Sequence, residues 1–302
     1  MNTGYKKGLT LALIAAVVSG FSVFINKLAE GHWTNSSIYT TEKNIMAALF
    51  LTAVLFAILK YRTLLKIKKI DWLKIILVGL IGGSIPFLLF FKGLSLTNAS
   101  SAGFWNKTLF IWVAILAWPI LKEKFGKFQI FAFGLIVLGN LSLLWPFKLA
   151  LNEASILILG ATLIWALEYI LAKQFMSNLK AEVLAWGRMF FGSIFLILYL
   201  FITHQASGLF QISAAQMPWL LIVGVILFIY VTFWYGALKK LPAALTAAVI
   251  TIASPITTLV NNLYYGKALP NNFVIYFGFI LIGIILFLIY NRREKIVSQP
   301  EI

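Results

Sequence analysis

Lys107 and Glu168 each fall in the middle of a long apolar stretch, in Phe104-Trp105-Asn106-Lys107-Thr108 and Trp165-Ala166-Leu167-Glu168-Tyr169. A charge at the centre of a bilayer costs about 2.5–3.5 kcal/mol on insertion scales, so residues of this kind are usually functional or paired. These two are opposite in sign. If they face one cavity, each removes most of the other's desolvation cost, and a substrate carboxylate, a substrate amine or a proton can compete for one partner. A purely structural ion pair explains the same residues without a substrate. Ser19, Ser22 and Asn26 share one helical face, which suits a cavity wall and also suits polar helix packing. Mid-stretch aromatics, Trp105, Trp165, Tyr169, Tyr230 and Trp234, can form an apolar wall or a cation–π surface for an amine, or simply pack. Arg188 and Lys43, near the openings of two stretches, suit snorkelling, gating or substrate contact. Pro255 must leave one backbone hydrogen bond unmade, which fits a gate or a tolerated kink.

The elements that position these residues follow from composition. Of 302 residues, 61% are hydrophobic and 11% charged, whereas a soluble domain has roughly a quarter charged. About ten apolar runs recur, each near the roughly 20 residues that cross about 30 Å of hydrocarbon. They are predicted at Gly8 to Leu28, Ile38 to Leu59, Trp72 to Phe91, Ala99 to Leu121, Phe128 to Trp145, Ala154 to Met176, Val183 to Thr203, Met217 to Leu238, Ala243 to Tyr264 and Phe273 to Tyr290. The weakest breaks are Lys92 to Asn98 and Lys239 to Pro242, and merging across either would change the count. No room is left for a soluble domain, so the expected class is an all-α integral membrane protein. Lys6 and Lys7 precede the first run, which lacks a small-x-small cleavage site and is expected to stay.

The formal charge of +16 is scattered through loops, so nucleic-acid binding is not expected. With no cysteine, disulfides and thiolate metal sites are excluded. His32 and His204 lie far apart in sequence and suggest no metal site, and neither a phosphate-binding loop nor a zinc-protease motif occurs. No cofactor is expected. Glu123, between Lys122 and Lys124, reads as a solvated loop charge.

Lysine and arginine also predict orientation, since positive loops stay cytoplasmic. With the N-terminus inside, the cytoplasmic set holds Lys60, Arg62, Lys66, Lys122, Lys180, Lys239, Arg292, Arg293, Lys295 and others. Only Lys27, Lys43, Lys92, Lys148 and Lys267 fall outside. Both termini then lie inside, in a cell membrane. An internal repeat accompanies this. An offset of 144 residues lays Gly93-Leu94 over Ala237-Leu238 and Thr97 to Leu121 over Leu241 to Tyr265; one of 146 lays Ser19-Gly20 to Lys27 over Trp165-Ala166 to Lys173. Two halves, 1–149 and 150–302, would each hold five spans and so face opposite ways. Inverted repeats characterise secondary carriers, whose site lies at mid-membrane between the halves. Glu168 lies over Ser22 in this alignment, so one polar face is shared by both halves.

At these residues the chain resembles the drug/metabolite transporter superfamily, specifically EamA-type carriers with two five-helix repeats. Trp165-Ala166, Arg188, Pro255 and Leu121-Lys122-Glu123-Lys124 match the family's pattern. Ser19-Gly20 replaces its Trp-Gly, Ile111 its span-4 proline, and Lys267 the second copy of its loop glutamate. The resemblance implies a carrier of small metabolites, often an exporter of amino acids or related compounds. Together with the polar positions it implies a cavity lined by spans 1, 3, 4, 6, 8 and 9. Lys107, Glu168, Trp165, Trp105, Ser22, Asn26, Tyr169 and Trp234 would meet the substrate, with Arg188 and Pro255 gating. Expected partners are membrane lipids, a small-molecule substrate and, as an option, a proton; the chain would act as monomer or homodimer. A membrane enzyme or lipid-handling protein would need a reactive cluster at a membrane surface, which the sequence does not offer.

Overall fold

A continuous apolar run in lipid has one local solution, the α-helix, because each backbone polar group must find its partner within the segment. The computed structural model of the chain, which describes residues 3–59, 62–142 and 151–297, follows this rule. The helices are α1 (Thr3–Glu30), α2 (Ser36–Leu59), α3 (Lys69–Ser95), α4 (Ala99–Ile120), α5 (Lys127–Ser142), α6 (Glu153–Phe175), α7 (Ala181–Ile202), α8 (Gln216–Lys240), α9 (Ala243–Tyr264) and α10 (Phe273–Val297). Among the described residues, nine are long and apolar enough to cross a membrane. The remaining one, α5, has 16 residues, about 24 Å of helix at 1.5 Å per residue. Its expected continuation to Trp145 lies outside the described residues, as do Lys60, Lys148, the boundary between 149 and 150, and the side chains of Arg62, Arg292, Arg293 and Lys295. Both doubtful breaks are real: helix stops at Ser95 and resumes at Ala99, and stops at Lys240 and resumes at Ala243.

Three helices are interrupted within the bundle. In α3 the break falls at Ser84, just before Pro86, and in α9 at Thr251 and Ile252, just before Pro255. Each proline lacks the N–H that would reach the carbonyl four residues back, so the ladder parts there. A third break, in α4 at Thr108, has no proline; Thr108 turns its hydroxyl onto the Trp105 carbonyl at 2.8 Å, a local bond that competes with the helix ladder. It occupies the place in the first half that the α9 break occupies in the second, so the geometry survives Ile111.

Packing pairs the halves rather than separating them. The α1 helix lies on α8 and α6 lies on α3; α2 meets α8 and α7 meets α3; α1 meets α9 and α6 meets α4. Exchanging each helix for the one five places on maps this pattern onto itself, with α2 on α7, α4 on α9 and α5 on α10 completing it. Matching lysine clasps tie both ends. Lys27 donates to the carbonyls of Leu94 and Ser95 at 2.8 and 3.2 Å, and Lys173 to those of Leu238 and Leu241 at 2.6 and 2.7 Å. Large apolar side chains such as Leu49, Trp118, Ile202 and Val274 point outward, while Asn44, Thr246 and Glu168 are buried. Such an inside-out arrangement is expected where lipid is as apolar as a leucine core and small or polar residues bring helices together.

Candidate functional site

Between the halves lies a cavity lined by α1, α2, α3, α4, α6, α7 and α8. Its wall is shaped by the α3 break. The Gly82 carbonyl, which Pro86 cannot serve, accepts from Trp165 Nε1 at 3.0 Å, and the Gly83 carbonyl accepts from Asn44 Nδ2 at 2.9 Å. Both glycines permit close approach. A Cβ on Gly82 would sit 2.7 Å from Cγ and Cδ of Glu168, and one on Gly83 would sit 1.9 Å from the Arg188 carbonyl oxygen.

Glu168 is fully buried, and its Oε1 lies 3.4 Å from Arg188 Nε. The Tyr235 hydroxyl donates to the same oxygen. Arg188 spreads its guanidinium over the rings of Trp234 and Phe87, at 4.9 and 5.3 Å from their centroids. Across the cavity, Lys43 is 1% exposed and donates to Asn26 Oδ1 at 3.2 Å, with its Nζ 3.3 Å above the centre of the Phe91 ring. Asn26 also accepts from the Tyr39 hydroxyl at 2.6 Å and donates to Ser22. Aromatic rings fill the remaining wall: Trp165 meets Phe87 edge-on, Tyr169 tilts against Trp234, and Tyr230 stacks on Trp234.

Ten of the residues singled out from sequence line this cavity together: Ser19, Ser22, Asn26, Lys43, Trp165, Glu168, Tyr169, Arg188, Tyr230 and Trp234. Three do not. Lys107 stands behind the wall, donating to Ser19 Oγ at 2.8 Å and Asn106 Oδ1 at 3.1 Å, and it forms no ion pair with Glu168. The carboxylate's cation is Arg188 instead, because α7 is packed on α3 opposite α6 and brings that guanidinium to it. Trp105 packs edge-on against Phe104, and Pro255 is buried within α9. Neither lines the cavity, and α9 does not reach it. In its place α2 and α7 contribute Lys43 and Arg188. Lys43 therefore sits deep inside the bundle rather than near the outer opening of its span. Phe87, Phe90, Phe91 and Asn106 were missed, since a phenylalanine in an apolar run carries no signal of which face it occupies.

Glu123 likewise departs from the solvated reading. Its two carboxylate oxygens accept from the backbone N–H groups of Ala243 and Ala244 at 2.6 and 3.1 Å, capping the start of α9. Burial pushes its carboxyl above the usual range, while those two amides and nearby Lys173 pull it back. Among the described residues no group of three His, Asp or Glu side chains could hold a metal.

The model of the EamA-like transporter family matches the chain twice, over residues 6–145 and 152–289. The chain belongs to the EamA-like transporter family. No curated protein matches this EamA-like protein. One solved crystal structure of a protein superposes on it with a TM-score of 0.74 at 14% identity, covering 95% of this chain and 98% of its own. At that identity the likeness concerns the fold. This EamA-like protein is thus a multi-pass membrane transporter with two repeats, and the cavity between them is its candidate site.

Proposed function

We propose that the protein is a secondary carrier that moves a small metabolite, an amino acid or a related compound, by alternating access across a cytoplasmic membrane. The observation that carries this reading is a cavity lined by both halves that holds a buried ion pair, Glu168 with Arg188, and a buried lysine, Lys43. Charges held at such depth cost too much to be retained without use or exchange. In this reading ten crossings place both termini inside, and the halves run in opposite directions as inverted repeats do. The symmetric pairing of helices supports this, because rocking one half against the other would open the cavity to each side in turn. Export is the expected direction, and the protein works as a monomer or homodimer among membrane lipids. Ser22, Asn26, Trp165, Glu168, Tyr169, Arg188 and Trp234 contact the substrate. Lys107 acts one layer behind, through Ser19 and Asn106, and Trp105 supports that helix. Pro255 supplies the flexible break in α9.

Uptake into proteoliposomes tests the reading. Substrate-dependent, saturable flux is expected in sealed vesicles holding the protein, with counterflow when the inside is preloaded; binding without flux would overturn it. Proton coupling through Glu168 is tested in the same vesicles: Glu168→Gln should flatten the pH dependence, and full activity with an unchanged pH profile would remove the proton from the mechanism.

A further inference from the structure

The two halves of the cavity differ by one acid. The repeat lays Lys43 over Arg188 at an offset of 145 residues and Ser22 over Glu168 at 146. In the second half the cation has its carboxylate, 3.4 Å away. In the first half the equivalent of that carboxylate is the hydroxyl of Ser22, already engaged by Asn26. Lys43 is as deeply buried as Arg188, yet among the described residues its three N–H donors find one hydrogen-bond acceptor, Asn26 Oδ1 at 3.2 Å. The Phe91 face offers partial compensation. An ammonium buried without an acid is costly.

From this broken symmetry we propose that the substrate supplies the missing acid: its carboxylate seats on Lys43 beside Ser22, and its flat apolar body lies on the aromatic wall of Phe91, Trp165 and Trp234. The charge count agrees. Lys43 and Arg188 face the cavity against the single carboxylate of Glu168, leaving one positive charge over, and Lys107 behind the wall adds another of the same sign. Arg188 Nη1, buried and without a hydrogen bond among the described residues, is a second donor available to the same group. An amine in this position would instead meet Lys43 as a like charge. The inference rests on the carrier reading only in taking the ligand to be the cargo.

Equilibrium binding of two probes with the same ring and opposite charge, phenylacetate and phenethylamine, tests it on purified full-length protein. Phenylacetate is expected to bind at least tenfold more tightly than phenethylamine. Lys43→Gln should abolish that preference and Lys43→Arg should restore most of it, which separates a charge effect from a folding defect. Ser22→Glu supplies the acid from the chain itself and should exclude phenylacetate, whereas Ser22→Gln, of equal size, should not. Tighter binding of the amine, binding of neither probe, indifference to Lys43→Gln, or identical behaviour of the two Ser22 variants would each overturn the proposal. Charge-selective binding without flux would remove the carrier reading and leave the carboxylate seat; flux that prefers the amine would do the reverse.

Discussion

Glu168 and Arg188 are each destabilising when alone and tolerable together, and a double-mutant cycle should show it. At 3.4 Å separation and an effective dielectric of about 20, their attraction is about 5 kcal/mol. Both side chains are almost wholly sequestered, so removing one partner strands the other. Glu168→Gln keeps the side-chain shape and the acceptor for Tyr235 but leaves Arg188 uncompensated, at a cost of about 3–5 kcal/mol. Arg188→Met strands Glu168 at a similar cost. Removing both charges should cost less than about 2 kcal/mol, since an uncharged pair of similar volume often replaces a buried ion pair with little loss. The coupling energy is then about 4 kcal/mol or more, far outside the ~0.5 kcal/mol scatter of independent sites. Equilibrium unfolding in mixed micelles, followed by fluorescence of the ten tryptophans, would measure it. If the double variant loses the sum of the single losses, the two groups are not a pair in the folded protein.

Glu123→Ala should cost about 1–2 kcal/mol by uncapping α9, read in the same unfolding assay, with Glu123→Gln losing less. Because burial raises the Glu123 carboxyl above its ordinary value of 4.5, the folded state holds its proton more tightly than the unfolded one. Its contribution is full below the unfolded value and lost as pH rises through the folded one, so wild type should lose stability relative to Glu123→Gln over that interval. Gly82→Ala presses a methyl into the Glu168 carboxyl and should lower substrate affinity, by a titration of the purified protein, more than it lowers stability, for which overpacking costs about 1–3 kcal/mol. Lys27→Met and Lys173→Met each remove charged hydrogen bonds to helix-end carbonyls, at about 1.5–3 kcal/mol apiece, and their effects should add because the two lysines share no partner.

The fold was largely legible because hydrocarbon imposes a length rule that composition alone reveals; both thin polar breaks proved to be true helix ends. The site was legible by face but not by partner. Ser22 and Asn26 lie on one stripe of α1, and Trp165 and Glu168 on one stripe of α6, which periodicity can find. That Glu168 meets Arg188 rather than Lys107 depends on how α3, α6 and α7 cross, and no spacing within a helix reports this. For Lys43 and Arg188 the sequence leaves snorkelling, gating and substrate contact open, because they lie near predicted span openings, whereas the helices begin well before them, at Ser36 and Ala181. Glu123 misled for a related reason: its flanking lysines suggest water, while its acceptors' partners are 120 residues away along the chain. The break at Thr108 lacks the proline that would have announced it.

The exchange of neighbours between halves has a consequence for synthesis. During translation α1 emerges first, yet its principal partner, α8, is complete only at Lys240. Until then the apolar side of α1 loses nothing by resting against lipid tails. Asn26 and Lys43 gain no such comfort, and they must wait in the nascent first half, held by each other and by Tyr39, until the second half arrives to close over them. A chain cut between the repeats should therefore give a first half that inserts but turns over quickly in the cell, and coexpression of the second half should extend its lifetime.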